Sequence, residues 1–315
     1  MDVEALRQAQ GERSCWVFGW TLSIYARGGR LVSQLPPEVY NLIDAALSED
    51  QAFNDPTTQA LVPQGIQAVG MIRAKGNGML AGIEVSQSVF LRIDSSLDVR
   101  VLLPDGSALT PGTDLARIEG DAGSILRAER VALNFLQRMS GIASDTNQYV
   151  MAIEGSQARI VDTRKTAPGH RYLDKYAVRM GGGHNHRLNL ADGILIKDNH
   201  IEALRSQEMG LQDVIRLALS NASHTIKVEV EVETVQEAGE AAAAGAHVIL
   251  LDNMSPEMMR QAVDIIDGRA AVEASGGISL ETVRAVAASG VDLISVGGLT
   301  HSTKALDISL DLEFQ

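Results

Sequence analysis

Lys227-Val-Glu-Val-Glu-Val-Glu233 opens a stretch that repeats itself. His247-Val-Ile-Leu-Leu-Asp252, Ala270-Ala-Val-Glu-Ala-Ser275 and Val291-Asp-Leu-Ile-Ser-Val-Gly297 follow at intervals of about 20 to 23 residues. Each run is short, apolar or alternating, and ends on a polar or small residue, the form of a buried strand. Between them lie residues 234–245, 255–268 and 279–290, each opening with Ser or Thr and closing with Gly. A hydroxyl can accept from the free N–H groups of a first helical turn, and glycine takes the left-handed turn that ends a helix. Thr234-x-x-Glu237 is a capping box and Pro256 suits a first helical position. Strand, helix, strand at this spacing predicts βα units in a parallel sheet.

Upstream, Arg159-Ile-Val-Asp162 and Gly193-Ile-Leu-Ile196 are two further strand-like runs, giving at least six units. A barrel or near-barrel therefore outweighs an open doubly wound sheet. No GxGxxG opens a helix after the first strand, which counts against a dinucleotide fold. Residues 124–153 carry a helical pattern (Ile125, Leu126, Val131, Leu133, Phe135, Leu136, Met139, Ile142) and are predicted to connect two domains. Before them, Gln67 to Arg73, Gly78 to Ile83, Leu97 to Leu103 and Leu115 to Glu119 are strand candidates separated by the turn residues Pro104-Asp105-Gly106 and Pro111-Gly112. Val39, Tyr40, Leu42, Ile43, Ala46 and Leu47 mark a helix from Pro37, and the segment containing Asp55-Pro56-Thr57-Thr58 reads as a loop. The first part is thus α+β with an antiparallel sheet, followed by a parallel α/β barrel.

Net charge is −13 over 315 residues, which argues against a general nucleic-acid or anionic-membrane binder. Yet residues 159–202 hold eight Arg or Lys and four of the seven His against five acids, so the positive charge is focused. A basic pocket in an acidic protein suits a small polyanion. These cations interrupt apolar strands instead of lining one exposed helix, which weighs against a merely solvated face. Cys15 is the only cysteine, which excludes a disulfide framework and fits a reducing cytoplasm. The apolar run from Cys15 to Ala26 is too short to span a bilayer and carries no cleavage-site pattern, so no membrane attachment is expected.

At the strand ends stand Arg164 and Lys165, Lys197, Glu231, Asp252, Ser275-Gly276-Gly277 and Gly297-Gly298. In parallel α/β folds binding groups converge at these ends. One half of the mouth is cationic, and the other combines carboxylates with glycine loops of the kind whose N–H groups meet phosphate. Alternation places Glu229, Glu231 and Glu233 on one face of their strand and the valines on the other, or else on the wet face of an edge strand. Glu231 and Asp252 are candidates to hold Mg²⁺, directly or through water, or to bind sugar hydroxyls. A small polyanionic acid beside a phosphorylated sugar points to phosphoribosyl transfer.

Glu129-Arg-Val-Ala-Leu-Asn-Phe135, Ser140-Gly-Ile-Ala143, Asp162-Thr-Arg-Lys-Thr166, Lys175-Tyr-Ala-Val178, Gly181-Gly-Gly183, Asn185-His-Arg187, Leu195-Ile-Lys-Asp-Asn-His200, Leu251-Asp-Asn253 and Glu273-Ala-Ser-Gly-Gly277 make the chain resemble the quinolinate phosphoribosyltransferases from about Pro37 to the C-terminus. The resemblance implies an α/β sandwich domain (37–132, joined by about 303–315), an incomplete α/β barrel (133–302) and a two-fold homodimer, with residues 1–36 as an extension of unknown role. It implies the reaction of quinolinate with phosphoribosyl pyrophosphate to nicotinate mononucleotide, pyrophosphate and CO₂, with Mg²⁺. Quinolinate contacts fall on Arg130 of the neighbouring subunit, Arg164, Lys165, His186, Arg187 and Lys197. Ribose and phosphate contacts fall on Glu231, Asp252, Ser275 to Gly277, Gly297 and Gly298, with Lys165, Glu231 and Asp252 in the catalytic roles. The chain departs from the family pattern at Ala167, His170 and Ala52-Phe53-Asn54. A related transferase acting on another acid, or a Schiff-base enzyme using Lys197, are the alternative readings.

Overall fold

A computed structural model describes residues 25–27, 30–32, 35–206 and 208–314. Tyr25–Arg27 (β1) and Arg30–Val32 (β2) form an antiparallel hairpin in a unit of their own, Met1–Pro36. Cys15 lies outside the described residues. Everything from Pro37 onward forms a second unit.

That unit opens with α1 (Pro37–Glu49), whose Val39, Ile43 and Leu47 are buried at the predicted spacing. The segment read as a loop contains a short helix, α2 (Pro56–Leu61), because Asp55 accepts from Thr57 N at 2.9 Å and Thr58 N at 3.2 Å while Pro56 occupies the first turn. An acid followed by proline is a helix start as much as a turn. Next come β3 (Gln67–Ala74), β4 (Gly78–Met79), α3 (Ile83–Ile93), β5 (Asp98–Val101), β6 (Ala108–Leu109) and β7 (Asp114–Asp121). The run from Gly78 to Ile83 is therefore a strand for two residues only. Its end is the start of α3, whose first N–H groups, on Gly82 and Ile83, donate to Asp105 at 2.8 and 3.0 Å. That cap comes from 22 residues away, so nothing local announces it.

A 31-residue helix, α4 (Ala122–Ala152), begins at Asp121, which accepts from Ser124 N at 2.8 Å. Ile125, Leu136, Met139 and Ile142 on it are fully buried, each worth about 2 kcal/mol of apolar burial. It touches β3 and β7 near one end and β8 (Arg159–Val161) and α5 (Arg171–Met180) near the other, so it is the predicted connector.

Beyond β8 and α5 run β9 (Ile194–Ile196), α6 (Asp198–Arg205), α7 (Leu211–Asn221), β10 (Val228–Val232), α8 (Val235–Ala244), β11 (Val248–Asp252), α9 (Pro256–Ile266), β12 (Ala271–Ser275), α10 (Val283–Ala287), β13 (Leu293–Ser295), α11 (Gly298–His301) and β14 (Ile308–Phe314). Six strands form one parallel sheet in the order β8-β13-β12-β11-β10-β9. Because β8 and β9 are its two edges, the barrel is incomplete. The capping box at Thr234 and Glu237, the left-handed Gly245 and the Ser255 cap are all present. The C-terminal strand β14 leaves the barrel and pairs antiparallel with β3, completing the sheet β14-β3-β7-β5. Among the described residues no helix is long and apolar enough to cross a membrane.

Candidate active site

Register decides what the barrel mouth presents. In the parallel sheet Glu231 and Glu273 both pair with Leu250, and Asp252 pairs with Ser275. Residues level in register share a face, and so do residues two apart on one strand. Glu229, Glu231, Asp252, Glu273 and Ser275 therefore look into the barrel. Val228, Val230 and Val232 face the other way and are buried, so β10 is not a strand with one wet face.

Glu231 Oε2 accepts from Lys197 Nζ at 2.5 Å, which joins the acidic half of the mouth to the cationic half. The lysine side chain is 45% exposed, so the pair is worth at most about 1 kcal/mol, and an incoming ligand can part it. Next to Glu231 on the mouth, Asp252 Oδ2 accepts from Asn253 Nδ2 at 2.7 Å. Asn253 is left-handed (φ 53°) and its N–H donates to Ser275 O, which ties β11 to the Ser275–Gly277 turn. Gly276 has to be glycine there: φ is +90°, and a Cβ would lie 2.2 Å from Asn253 Oδ1.

On the other side, Arg164 and Arg187 lie close enough that the charge of Arg164, after burial, holds the Arg187 guanidinium below its usual pKa. Arg164 Nε is buried with no hydrogen-bond partner. Two like charges and an unused donor are what a dianion would satisfy. Lys165 is exposed and lies with Arg138, Thr166, Thr300 and His301 along one groove. Its Cδ and the His301 Nε2 each come within 3.2 Å of where a Cβ on Gly297 would stand, so Gly297 gives both side chains room. Arg138 is already committed, with both oxygens of the buried Asp174 and with Thr300 O. A Cβ on Gly181 would meet Ala143 O at 2.3 Å, so the glycine run 181–183 lets the chain approach α4 closely.

Behind the arginines the chemistry is buried. Lys175 pairs with Asp162, and both side chains are almost wholly enclosed. Burial pushes the Asp162 carboxyl above its usual pKa and the Lys175 amine below it, and each one's charge offsets part of the other's penalty. His186 is held at both ring nitrogens: Nδ1 accepts from Arg187 N at 2.8 Å, and Nε2 lies 3.2 Å from Glu229 Oε2 and 3.6 Å from Glu273 Oε2. These bonds assign the ring the tautomer with its proton on Nε2. Burial and then the charge of Glu229 push the Glu273 carboxyl up to about 7, and its Oε1 has no partner.

Among the described residues His186, Glu229 and Glu273 are the one trio with ligand atoms within 4.8 Å of each other. A metal there would need the Nε2 lone pair, which the Arg187 amide on Nδ1 denies it. Glu231 and Asp252 fit a metal better: two oxygen donors on one face at the open mouth suit a hard cation that keeps most of its waters.

The comparisons with known proteins agree with this geometry. Residues 55–140 match the N-terminal domain and residues 142–311 the C-terminal domain of quinolinate phosphoribosyl transferase. The chain belongs to this family. The probable nicotinate-nucleotide pyrophosphorylase [carboxylating] of Bacillus subtilis is 42% identical over 276 residues, covering 87% of this chain and 93% of that protein. The chloroplastic nicotinate-nucleotide pyrophosphorylase of Arabidopsis thaliana is 41% identical over 288 residues, 86% of this chain and 82% of that one. NadC from Streptococcus pyogenes superimposes with a TM-score of 0.85 at 43% identity, covering 90% of this chain and 99% of that structure.

In this chain Arg164, Lys165, Lys197, Glu231, Asp252, Ser275–Gly277, Gly297 and Gly298 lie at or just beyond the C-terminal ends of their strands, while His186 and Arg187 lie in the segment between α5 and β9. Arg130 is exposed on α4, before every barrel strand. Asp162, Glu273, Asn253 and His301 received no role from sequence reasoning. For Asp162 a signal existed: an acid ending the apolar run Arg-Ile-Val invites a partner. His301, three residues beyond a glycine pair, had none.

Proposed function

We propose that the protein transfers the phosphoribosyl group of phosphoribosyl pyrophosphate to quinolinate with loss of CO₂, giving nicotinate mononucleotide for NAD biosynthesis. The observation that carries this reading is the Lys197–Glu231 ion pair, which joins cationic to acidic residues beside the like charges of Arg164 and Arg187, in a chain of this family.

Arg164, Lys165, Arg187 and Lys197 hold the two carboxylates of quinolinate by charge-assisted bonds, each worth about 1.5–3 kcal/mol net, and His186, whose ring nitrogens are engaged, orients the Arg187 backbone behind them. As the C1′–pyrophosphate bond breaks, positive charge grows on C1′ and the ring oxygen, and Glu231 and Asp252 stabilise it. The pyridine nitrogen attacks C1′. The resulting pyridinium then takes up the electron pair of the C2–carboxylate bond, CO₂ departs, and a proton replaces it at C2. Lys165 and His301, beside Gly297, are placed to take the charge of the departing pyrophosphate, while the Ser275–Gly277 and Gly297–Gly298 turns offer N–H groups to phosphate. Mg²⁺ held by Glu231 and Asp252, directly or through water, would neutralise charge on the pyrophosphate.

Arg130 reaches the neighbouring site in a two-fold dimer. Inactive Arg130→Ala and Lys165→Ala proteins should recover activity after subunit exchange, and no recovery would place Arg130 in its own site. The deciding assay is CO₂ release from carboxyl-labelled quinolinate. Release should require both phosphoribosyl pyrophosphate and Mg²⁺; no release with both present rejects the reading. For the Schiff-base alternative a desolvated amine is needed, and Lys197 is half-exposed and ion-paired instead.

A further inference from the structure

We propose that Asp162 and Lys175 are positioning residues: their buried ion pair fixes the segment from Asn185 to Arg187 and thereby sets the affinity for the acid substrate. The proposal rests on the reading that Arg187 holds quinolinate. With side chains 0% and 2% exposed, Asp162 and Lys175 themselves cannot touch a ligand.

Five hydrogen bonds converge on two residues. Asp162 Oδ1 accepts from Lys175 Nζ and from His186 N (2.9 Å), and its Oδ2 accepts from Asn185 Nδ2 (2.6 Å). Lys175 Nζ also donates to His186 O at 3.1 Å, and Asn185 Nδ2 to Lys175 O at 2.9 Å. The N–H and the C=O of His186 are thus each held by one member of the pair. Arg187 N in turn donates to the His186 ring, so the peptide, the imidazole and the next residue's backbone are fixed together.

The topology explains why charge is used here. This segment crosses from the free edge of β8 towards β9, where no sheet strand supplies a ladder; its pairing with β8 is the single bridge Val161↔His184. Irregular backbone in a buried place must find other partners for its polar groups. Two apolar side chains would fill the same space at similar stability, but they could not hold an N–H and a C=O.

The test uses wild type, Asn185→Ala and the neutral pair D162N/K175M, with KM for quinolinate, KM for phosphoribosyl pyrophosphate and thermal melting measured for each. Asn185→Ala removes the two clamp bonds of Asn185 Nδ2 at a half-buried position, and the acceptor of Arg179, but leaves the Asp162–Lys175 pair itself intact. It should raise KM for quinolinate about threefold or more, with KM for phosphoribosyl pyrophosphate within twofold; the neutral pair should raise the former about tenfold. A general loosening of the fold would move both constants together. KM for quinolinate within twofold of wild type in Asn185→Ala, and in the neutral pair where it folds, overturns the proposal. If wild type itself releases no CO₂, the functional reading has failed instead. The clamp is then read by hydrogen exchange: the His186 amide should be protected in wild type and at least tenfold faster in Asn185→Ala, and equal rates reject it.

Discussion

The two sides of the mouth are built on different principles. From β10 to β13 the backbone repeats, and register alone places Glu231, Asp252 and Ser275 at neighbouring strand ends. Residues 162–193 do not repeat. They comprise one helix and irregular chain held by Asp162 with Lys175, Asp174 with Arg138, and Arg187 with Gly193 O. On the regular side a charged residue faces the ligand because of where the strand puts it. On the irregular side some charges face the ligand and others hold the chain, and the density of cations in the sequence does not tell them apart. Lys175 and Lys165, ten positions apart in one motif-rich stretch, are respectively enclosed and exposed.

The strongest way to break this comparison is to remove charge on the regular side. Glu231→Gln and Asp252→Asn should each lower turnover by roughly a hundredfold or more, the scale of losing one preorganised electrostatic contact to a transition state. Quinolinate affinity by titration calorimetry should stay within about threefold, because the acid binds on the other side. Near-normal turnover in the double variant would remove the carboxylates from the mechanism.

Glu273 tests whether the barrel interior pays for its acids in stability. Its folded pKa of about 7 lies above the ordinary 4.5. Below pH 4.5 the carboxyl is protonated in both states and costs nothing. As pH rises from 4.5 towards 7 the unfolded chain releases the proton first, so the native state is progressively destabilised relative to it. The gap amounts to on the order of 3 kcal/mol once fully developed. Glu273→Gln cannot ionise, so its stability relative to wild type should be near zero at pH 4.5 and should climb to a gain of that order by pH 8 in urea titrations. A difference that stays flat over that range would mean that Glu273 is not held protonated.

On the irregular side, Arg187→Ala and Lys165→Ala should each weaken quinolinate binding roughly tenfold or more, since each removes a charge-assisted contact worth about 1.5–3 kcal/mol. The melting transition should not move for exposed Lys165. Unchanged binding in both variants would overturn the assignment of the cationic half.

What was legible in the sequence follows the same division. The βα units, the helix caps at Thr234 and Ser255, the inward face of Glu229 and Glu231 and the long helix α4 could be read because period and local chemistry determine them. Helix α3 could not, since its cap, Asp105, comes from a distant turn. Nor could the roles of Lys175 and Glu273, because burial and pairing belong to the tertiary structure, and a lysine looks the same in sequence whether it meets water or a carboxylate.

The smallest effect separates two adjacent glycines in a turn that the sequence offers as one phosphate loop. Gly276 and Gly277 both have positive φ, +90° and +63°, so alanine at either one costs about 1–2 kcal/mol of backbone strain. Their surroundings differ. A Cβ on Gly277 meets nothing within 4 Å, whereas one on Gly276 would strike the Asn253 amide at 2.2 Å and its backbone N at 2.9 Å. The amide can swing away, but doing so takes its hydrogen from Asp252, and the backbone nitrogen cannot yield without loosening its bond to Ser275 O. Gly276→Ala should therefore be less stable than Gly277→Ala by about 1 kcal/mol, the lower end of the cost of overpacking. It should also lose more turnover, because Asp252 loses its donor. Should Gly277→Ala prove the more damaging of the two in turnover while matching Gly276→Ala in stability, the space above Gly277 would be the part of the turn that meets phosphate, and the contact to Asn253 would be packing alone.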